Sequence, residues 1–242
     1  MMSYTTVSGI SLQYIMIAGA VLFFIIVLVS MGIFVGLKIN KRYESEFKLA
    51  LHNLNPEYMK FYRRLYASCT CNGFRIYFSY AALEKSFPVI LPGRYSISII
   101  IRTKIPGTEN VKLHLAVFHE DKNKTVRKAA AWSNPEPDFY TGKISGQSAV
   151  ESVEVFNRLS QSTKNVLKTF AEKCGSCAIT PDWETVIIGA ENSLRLAGGD
   201  KTVLQQLDFQ IIASINISGG EIMLLLDEIT AAVKLISGDL GK

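Results

Sequence analysis

The first 37 residues contain no Asp, Glu, Lys or Arg, and Tyr14–Leu37 (YIMIAGAVLFFIIVLVSMGIFVGL) is an apolar run without helical or strand periodicity. As a helix, this run extends roughly 36 Å at 1.5 Å per residue, enough to cross a hydrocarbon core of about 30 Å with some tilt. It lacks the basic n-region and short apolar stretch of a cleaved signal peptide. The pattern therefore predicts an uncleaved transmembrane helix over 14–37, a short extracytoplasmic N-terminus over 1–13 and a basic helical stalk over 38–54.

Beyond the stalk the periodicity changes several times. Asn55 as N-cap, Pro56 as first helical residue and an apolar set at Tyr58, Met59, Tyr62, Leu65 and Tyr66 predict a helix ending near Ala67. Alternation then predicts strands at Phe74–Tyr80, Arg94–Lys104 and Val111–Phe118, the last two joined as a hairpin across Pro106–Asn110. A shorter strand is expected at Arg127–Trp132, stopped by Pro135–Asp138. Ser148 with Glu151 forms a capping-box pattern, and apolar residues from Val153 to Phe170 recur at helical spacing through Lys173, as one helix or as two broken near Ser160–Ser162.

Toward the C-terminus, short strands are expected at Trp183–Ile188 and Ser193–Ala197. Leu207–Ile217 alternates strictly. Ser218 and Glu221 then cap a last helix whose Ile222, Leu225, Leu226, Ile229, Val233 and Ile236 make one face, with Gly238 ending it. The order implies an α+β fold: a single soluble domain over 55–242, with a mixed or antiparallel sheet packed by helices. The last helix is expected to bury its face against the sheet containing Leu207–Ile217.

Composition adds that this body folds: 48% of the 242 residues are hydrophobic and 19% charged, outside the range of disordered chains. The net charge of +5 is uneven, because Lys38–Arg64 holds seven basic residues against three glutamates, for +4. Lys38, Lys41 and Arg42 follow the apolar run at once, which by the positive-inside rule puts the body in the cytoplasm and these side chains against anionic headgroups. Basic residues do not recur with aromatics in any nucleic-acid module, so nucleic acid is not an expected partner.

Four cysteines form two close pairs, Cys69-Thr-Cys71 and Cys174-Gly-Ser-Cys177. Four thiolates suit a tetrahedral zinc if the fold unites the pairs, although one intervening residue is short for a zinc knuckle. A Cys174/Cys177 dithiol and ordinary reduced, partly buried cysteines are the other readings. His114 and His119, five apart, are expected on opposite faces of their strand, and His52 lies on the stalk, so neither a histidine metal site nor a Ser-His-Asp triad is expected. Glu136-Pro-Asp138 and Asp182-Trp-Glu184 read as solvated turns. No Walker A or dinucleotide glycine fingerprint occurs. Gly32-x-x-x-Gly36 permits close helix–helix contact within the span.

These features lead to the expectation of a single-pass, membrane-anchored, non-catalytic assembly or scaffold protein. Its cytoplasmic domain would bind a protein partner, or a second copy, at the membrane face. The alternative is a zinc-stabilised or thiol-switched regulatory domain using Cys69, Cys71, Cys174 and Cys177; an enzyme with a site illegible in sequence is the third.

Overall fold

A computed structural model describes residues 12–61, 64–82, 97–119, 133–142, 149–181, 206–214 and 219–241. The chain divides into two compact units, 1–46 and 47–242. In the first, helix α1 (Leu12–Leu51) begins and runs unbroken into the second, where a 3-10 turn (His52–Leu54) follows. Among the described residues one helix is long and apolar enough to cross a membrane. Every side chain from Met16 to Lys38 is exposed, whereas Phe47 and Leu51, at the other end of α1, are fully buried in the body.

The body is α+β. Among the described residues its strands are β1 (Glu57–Phe61), β2 (Arg64–Cys71), β3 (Phe74–Ala82), β4 (Ile97–Lys104), β5 (Leu115–Phe118), β6 (Ser133–Glu136), β7 (Phe139–Thr141), β8 (Ser176–Thr180) and β9 (Asp208–Ser214). The helices are α2 (Ala149–Arg158), α3 (Gln161–Cys174) and α4 (Gly219–Leu240). All nine strands join one antiparallel sheet in the order β1-β2-β3-β4-β9-β8-β5-β7-β6.

Register explains how one face of this sheet stays dry. Ala67, Phe78, Ile101, Ile211, Cys177, Val117 and Phe139 are successive cross-strand partners from β2 to β7, and all seven are buried. Phe156 of α2 stacks on Phe139 (centroids 4.8 Å apart), and Phe170 of α3 meets Phe209 edge-on at 5.5 Å. Over the same face lies α4, whose Ile222, Leu225, Leu226, Ile229, Val233 and Ile236 are all buried, as the periodicity predicts. Because side chains alternate along a strand, the parallel row Ser68, Tyr77, Arg102, Gln210, Ala178, Ala116, Tyr140 faces the other way.

Polar ties fix the helices on the sheet. Asn72 and Gly73 turn β2 into β3 with φ of 49° and 84°, the two positive values of a type I′ hairpin turn. Asn72 Nδ2 donates from that turn to Asp227 Oδ1 (2.9 Å) and Thr230 Oγ1 (3.0 Å) on α4. At the other end of α4, Asp239 Oδ2 accepts from Ser160 N (2.8 Å), Ser160 Oγ (2.6 Å) and Thr163 Oγ1 (2.6 Å). Ser160 is itself the N-cap of α3, accepting from Thr163 N at 3.3 Å.

Four expectations need correction. The helix expected over 56–67 is instead strands β1 and β2, and Asn55, at φ 45°, ends the 3-10 turn rather than capping a helix. Pairing of Leu65 and Ala67 into the core outweighs a local spacing compatible with both periods. The hairpin expected between 94–104 and 111–118 is absent, since β9 and β8 lie between β4 and β5, and residues 111–114 are not strand. Pro135 and Glu136 belong to edge strand β6. Gly238 does not end α4, which continues to Leu240 and is followed by Gly241. The strand expectations at 127–132, 183–188 and 193–197, and the caps Ser148 and Ser218, lie outside the described residues.

Leu225→Ala or Ile229→Ala should lower unfolding free energy by roughly 2–5 kcal/mol, the range for removing a packed aliphatic side chain. Leu224→Ala, at a position 65% exposed, should change it by less than about 0.5 kcal/mol. Denaturant titration followed by circular dichroism measures both. Asp239→Ala strips three donors of their shared acceptor, and the same titration should show a loss of roughly 1–3 kcal/mol.

Candidate functional site

The described residues present a polar cleft of about 180 Å³ where β5 ends beneath α3, floored by Val117 and Ala171. Four ionisable side chains line it: His119, Asp138, Lys168 and Glu172. They come from three segments, the last two sharing α3. Pro137-Asp138 is the two-residue loop of the β6–β7 hairpin, because Glu136 pairs with Phe139, and Asp138 adopts a φ of 70°. Asp and Asn tolerate this left-handed region better than most residues.

Backbone contacts clamp the cleft walls. Phe118 N donates to Asp138 O at 3.4 Å, and His119 N donates to Gly175 O, just past the end of α3, at 3.3 Å. Glu136, two residues before Asp138, accepts from Lys164 Nζ on α3 at 3.1 Å, and that ammonium lies 4.3 Å from the Phe156 ring centre. Lys168 and Glu172 follow on α3, one turn apart, with Lys168 Nζ 5.1 Å from the Phe139 ring centre. In this frame, His119 Nδ1 and Asp138 Oδ1 are buried without a hydrogen-bond partner among the described residues. A buried polar atom left unsatisfied costs roughly 1–3 kcal/mol.

Pro137-Asp138 is a turn with Pro137 exposed, while Glu136 and Asp138 are half-buried and Lys164 of α3 reaches Glu136. The signal in the sequence is weak: an acidic hairpin tip and a Lys168/Glu172 pair one helical turn apart become one site only through a contact between distant segments. His114 and His119 do fall on opposite sides. His114 Nδ1 lies 2.8 Å from Thr180 Oγ1, and burial holds its pKa below the usual 6.5.

The cysteines occupy two separate places. Cys69 and Cys71 project from one face of β2, where Cys71 Sγ lies 4.0 Å from Asp227 Oδ1. Cys177, in the central apolar row, donates to Leu167 O at 3.3 Å, while Cys174 ends α3 beside Lys173 and Glu228. All four are free thiols. Among the described residues no three His, Cys, Asp or Glu side chains converge on a point that would hold a metal ion. Burial pushes the Cys69 and Cys174 thiols up to about 11 and Cys177 higher still. Thiolates that scarce at neutral pH are poor nucleophiles.

Of the remaining sequence candidates, Lys38 and Lys41 are exposed on α1, and Arg42 Nε pairs with Glu46 Oε1 at 2.8 Å. Gly32 and Gly36 have open space where a Cβ would stand. No protein-family model, curated protein or solved structure matches this chain.

Thiol alkylation of the native protein at about pH 8 should modify Cys71 first, Cys69 and Cys174 slowly, and Cys177 only on unfolding. Mass spectrometry of the labelled peptides reads that order. Because these folded-state pKa values are raised, the unfolded chain loses its thiol protons first. Stability should therefore be intact below about pH 9 and decline as pH rises toward 11, as a pH series of melting curves would show.

Proposed function

We propose that this chain is a single-pass membrane-anchored, non-catalytic scaffold whose body binds a protein partner on the cytoplasmic side. The observation that carries the anchor is the exposure of every side chain from Met16 to Lys38 on a helix whose most apolar 18-residue stretch has a mean hydropathy of 2.9. Soluble monomers rarely expose contiguous apolar surface beyond a few hundred Å², whereas a bilayer solvates such a helix. Lys38, Lys41 and Arg42 support cytoplasmic orientation through their charge.

Binding of a partner is supported by the sheet face turned away from α2, α3 and α4. At its centre Ile100 and Ile212 are direct cross-strand partners and only partly buried. Around them are fixed polar pairs: Arg75 with Glu57 and Ser68, Arg102 with Gln210, and Lys104 with Asp208. An apolar centre rimmed by charge is the usual anatomy of a protein interface.

A cysteine introduced at Thr5 should react with an impermeant thiol reagent in intact cells while Cys71 stays unlabelled; labelling of Cys71 alone reverses the orientation. Ile100→Arg and Ile212→Arg should each abolish co-purification of the partner from gently solubilised membranes without lowering the melting temperature of the chain. Recovery of the unaltered chain alone at every detergent strength counts against the scaffold reading.

A further inference from the structure

We infer that Asn72-Gly73, the turn between β2 and β3, is a spontaneous modification site at which loss of the Asn72 amide frees α4 from that turn, an assignment independent of the docking reading. An asparagine side chain is most open to attack by the next backbone nitrogen when glycine follows, because glycine has no Cβ to block the approach. Both residues are exposed, and among the described residues nothing lies within 4 Å of the point where a Gly73 Cβ would stand. The positive φ values explain the glycine, but aspartate suits the first position of such a turn as well as asparagine does. The turn alone does not call for an amide.

It is α4 that uses the amide. Asn72 Nδ2 donates to Asp227 Oδ1 at 2.9 Å and to Thr230 Oγ1 at 3.0 Å, and the same nitrogen is the leaving group. The reaction needs only water. The Gly73 backbone nitrogen, its proton lost to hydroxide, attacks Asn72 Cγ; a new N–C bond closes a succinimide ring, and the Cγ–Nδ2 bond breaks to release ammonia. Hydrolysis then opens the ring at either carbonyl, leaving aspartate or isoaspartate. In sum, water is consumed and ammonia leaves, with no oxidant or reductant.

The two hydrogen bonds gate this chemistry. They fix the amide against α4, so ring closure proceeds from molecules in which the turn has opened from Asp227 and Thr230. Both products end the tie. A carboxylate donates no hydrogen bond, so aspartate sets a negative charge beside Asp227 where a donor had been. Isoaspartate also adds a main-chain carbon to a two-residue turn that holds Cys71 opposite Phe74.

The test incubates the full-length chain in detergent micelles at neutral and at mildly alkaline pH, beside a urea-denatured sample. Peptide mass spectrometry that separates aspartate from isoaspartate follows residue 72. Acid is expected to accumulate there, faster at the higher pH and fastest in the denatured chain. Asp227→Ala should raise the native rate about tenfold or more, the factor carried by a hydrogen bond to a charged group. Asp239→Ala, which loosens the opposite end of α4, should not. Asn72→Asp should lower the melting temperature by about 2–4 °C, and adding Asp227→Asn, which supplies a donor facing the carboxylate, should restore it. If neither the unaltered chain nor Asp227→Ala gains acid at residue 72 while the denatured chain converts, the assignment is overturned. So it is by a native rate that Asp227→Ala leaves unchanged or that Asp239→Ala raises equally, or by an unchanged melting temperature for Asn72→Asp.

Discussion

A nine-stranded sheet whose core-facing row runs from Ala67 to Phe139 folds only if that row is removed from water along its whole length. No single described helix does this. Phe156 of α2 covers one end, Phe170 of α3 covers the β9 region, and α4 contributes a six-residue aliphatic face. At about 25 cal/mol per Å² of apolar surface, these faces supply the main driving force, but hydrophobic burial is indifferent to direction. Direction comes from polar ties at the helix ends. Asn72 holds α4 to the β2–β3 turn, and Asp239 gathers the first turn of α3 onto the end of α4. The cleft beneath α3 depends on this placement, since Lys168 and Glu172 reach the β6–β7 turn only because α3 is pinned at its N-cap and again through Lys164 and Glu136.

How much of this could be read from the sequence depended on whether the determining contact is local. The inward face of α4 and the alternation of β9 follow from spacing within one segment, and the structure agrees with both; between one helix and two over 149–174, which spacing left open, the structure has two. Residues 56–67 were misread because Tyr58, Met59, Leu65 and Tyr66 satisfy a helical spacing almost as well as an alternating one. Pairing with β3, which begins only at Phe74, decides between them. The β4–β5 hairpin failed for a related reason: the partner that displaces β5 from the side of β4 is β9, about a hundred residues downstream.

The candidate site was less legible than the fold. Every residue type in it was visible, but His119, Asp138, Lys168 and Glu172 come from three segments with no fixed spacing. That His119 Nδ1 and Asp138 Oδ1 are buried without partners among the described residues is a tertiary fact, and a string of letters does not carry it. The cysteines show the reverse. Their pairing along the chain was conspicuous, yet Cys177 is a small apolar filler of the central row, and Cys71 sits at the rim beside Asp227.

The strand order also dictates a sequence of events during synthesis. Strands β1 to β4 form an up-and-down meander that can pair as soon as Lys104 is made. The other edge of β4 must wait for β9, whose Asp208 lies 104 residues beyond its partner Lys104. Until then the ribosome carries a half-sheet with Ile97, Ile99 and Ile101 along an open edge, and such edges invite intermolecular pairing. Closing that long loop costs more chain entropy than forming any helix or hairpin of the domain. A nascent chain stalled before residue 208 would be the species most in need of a chaperone.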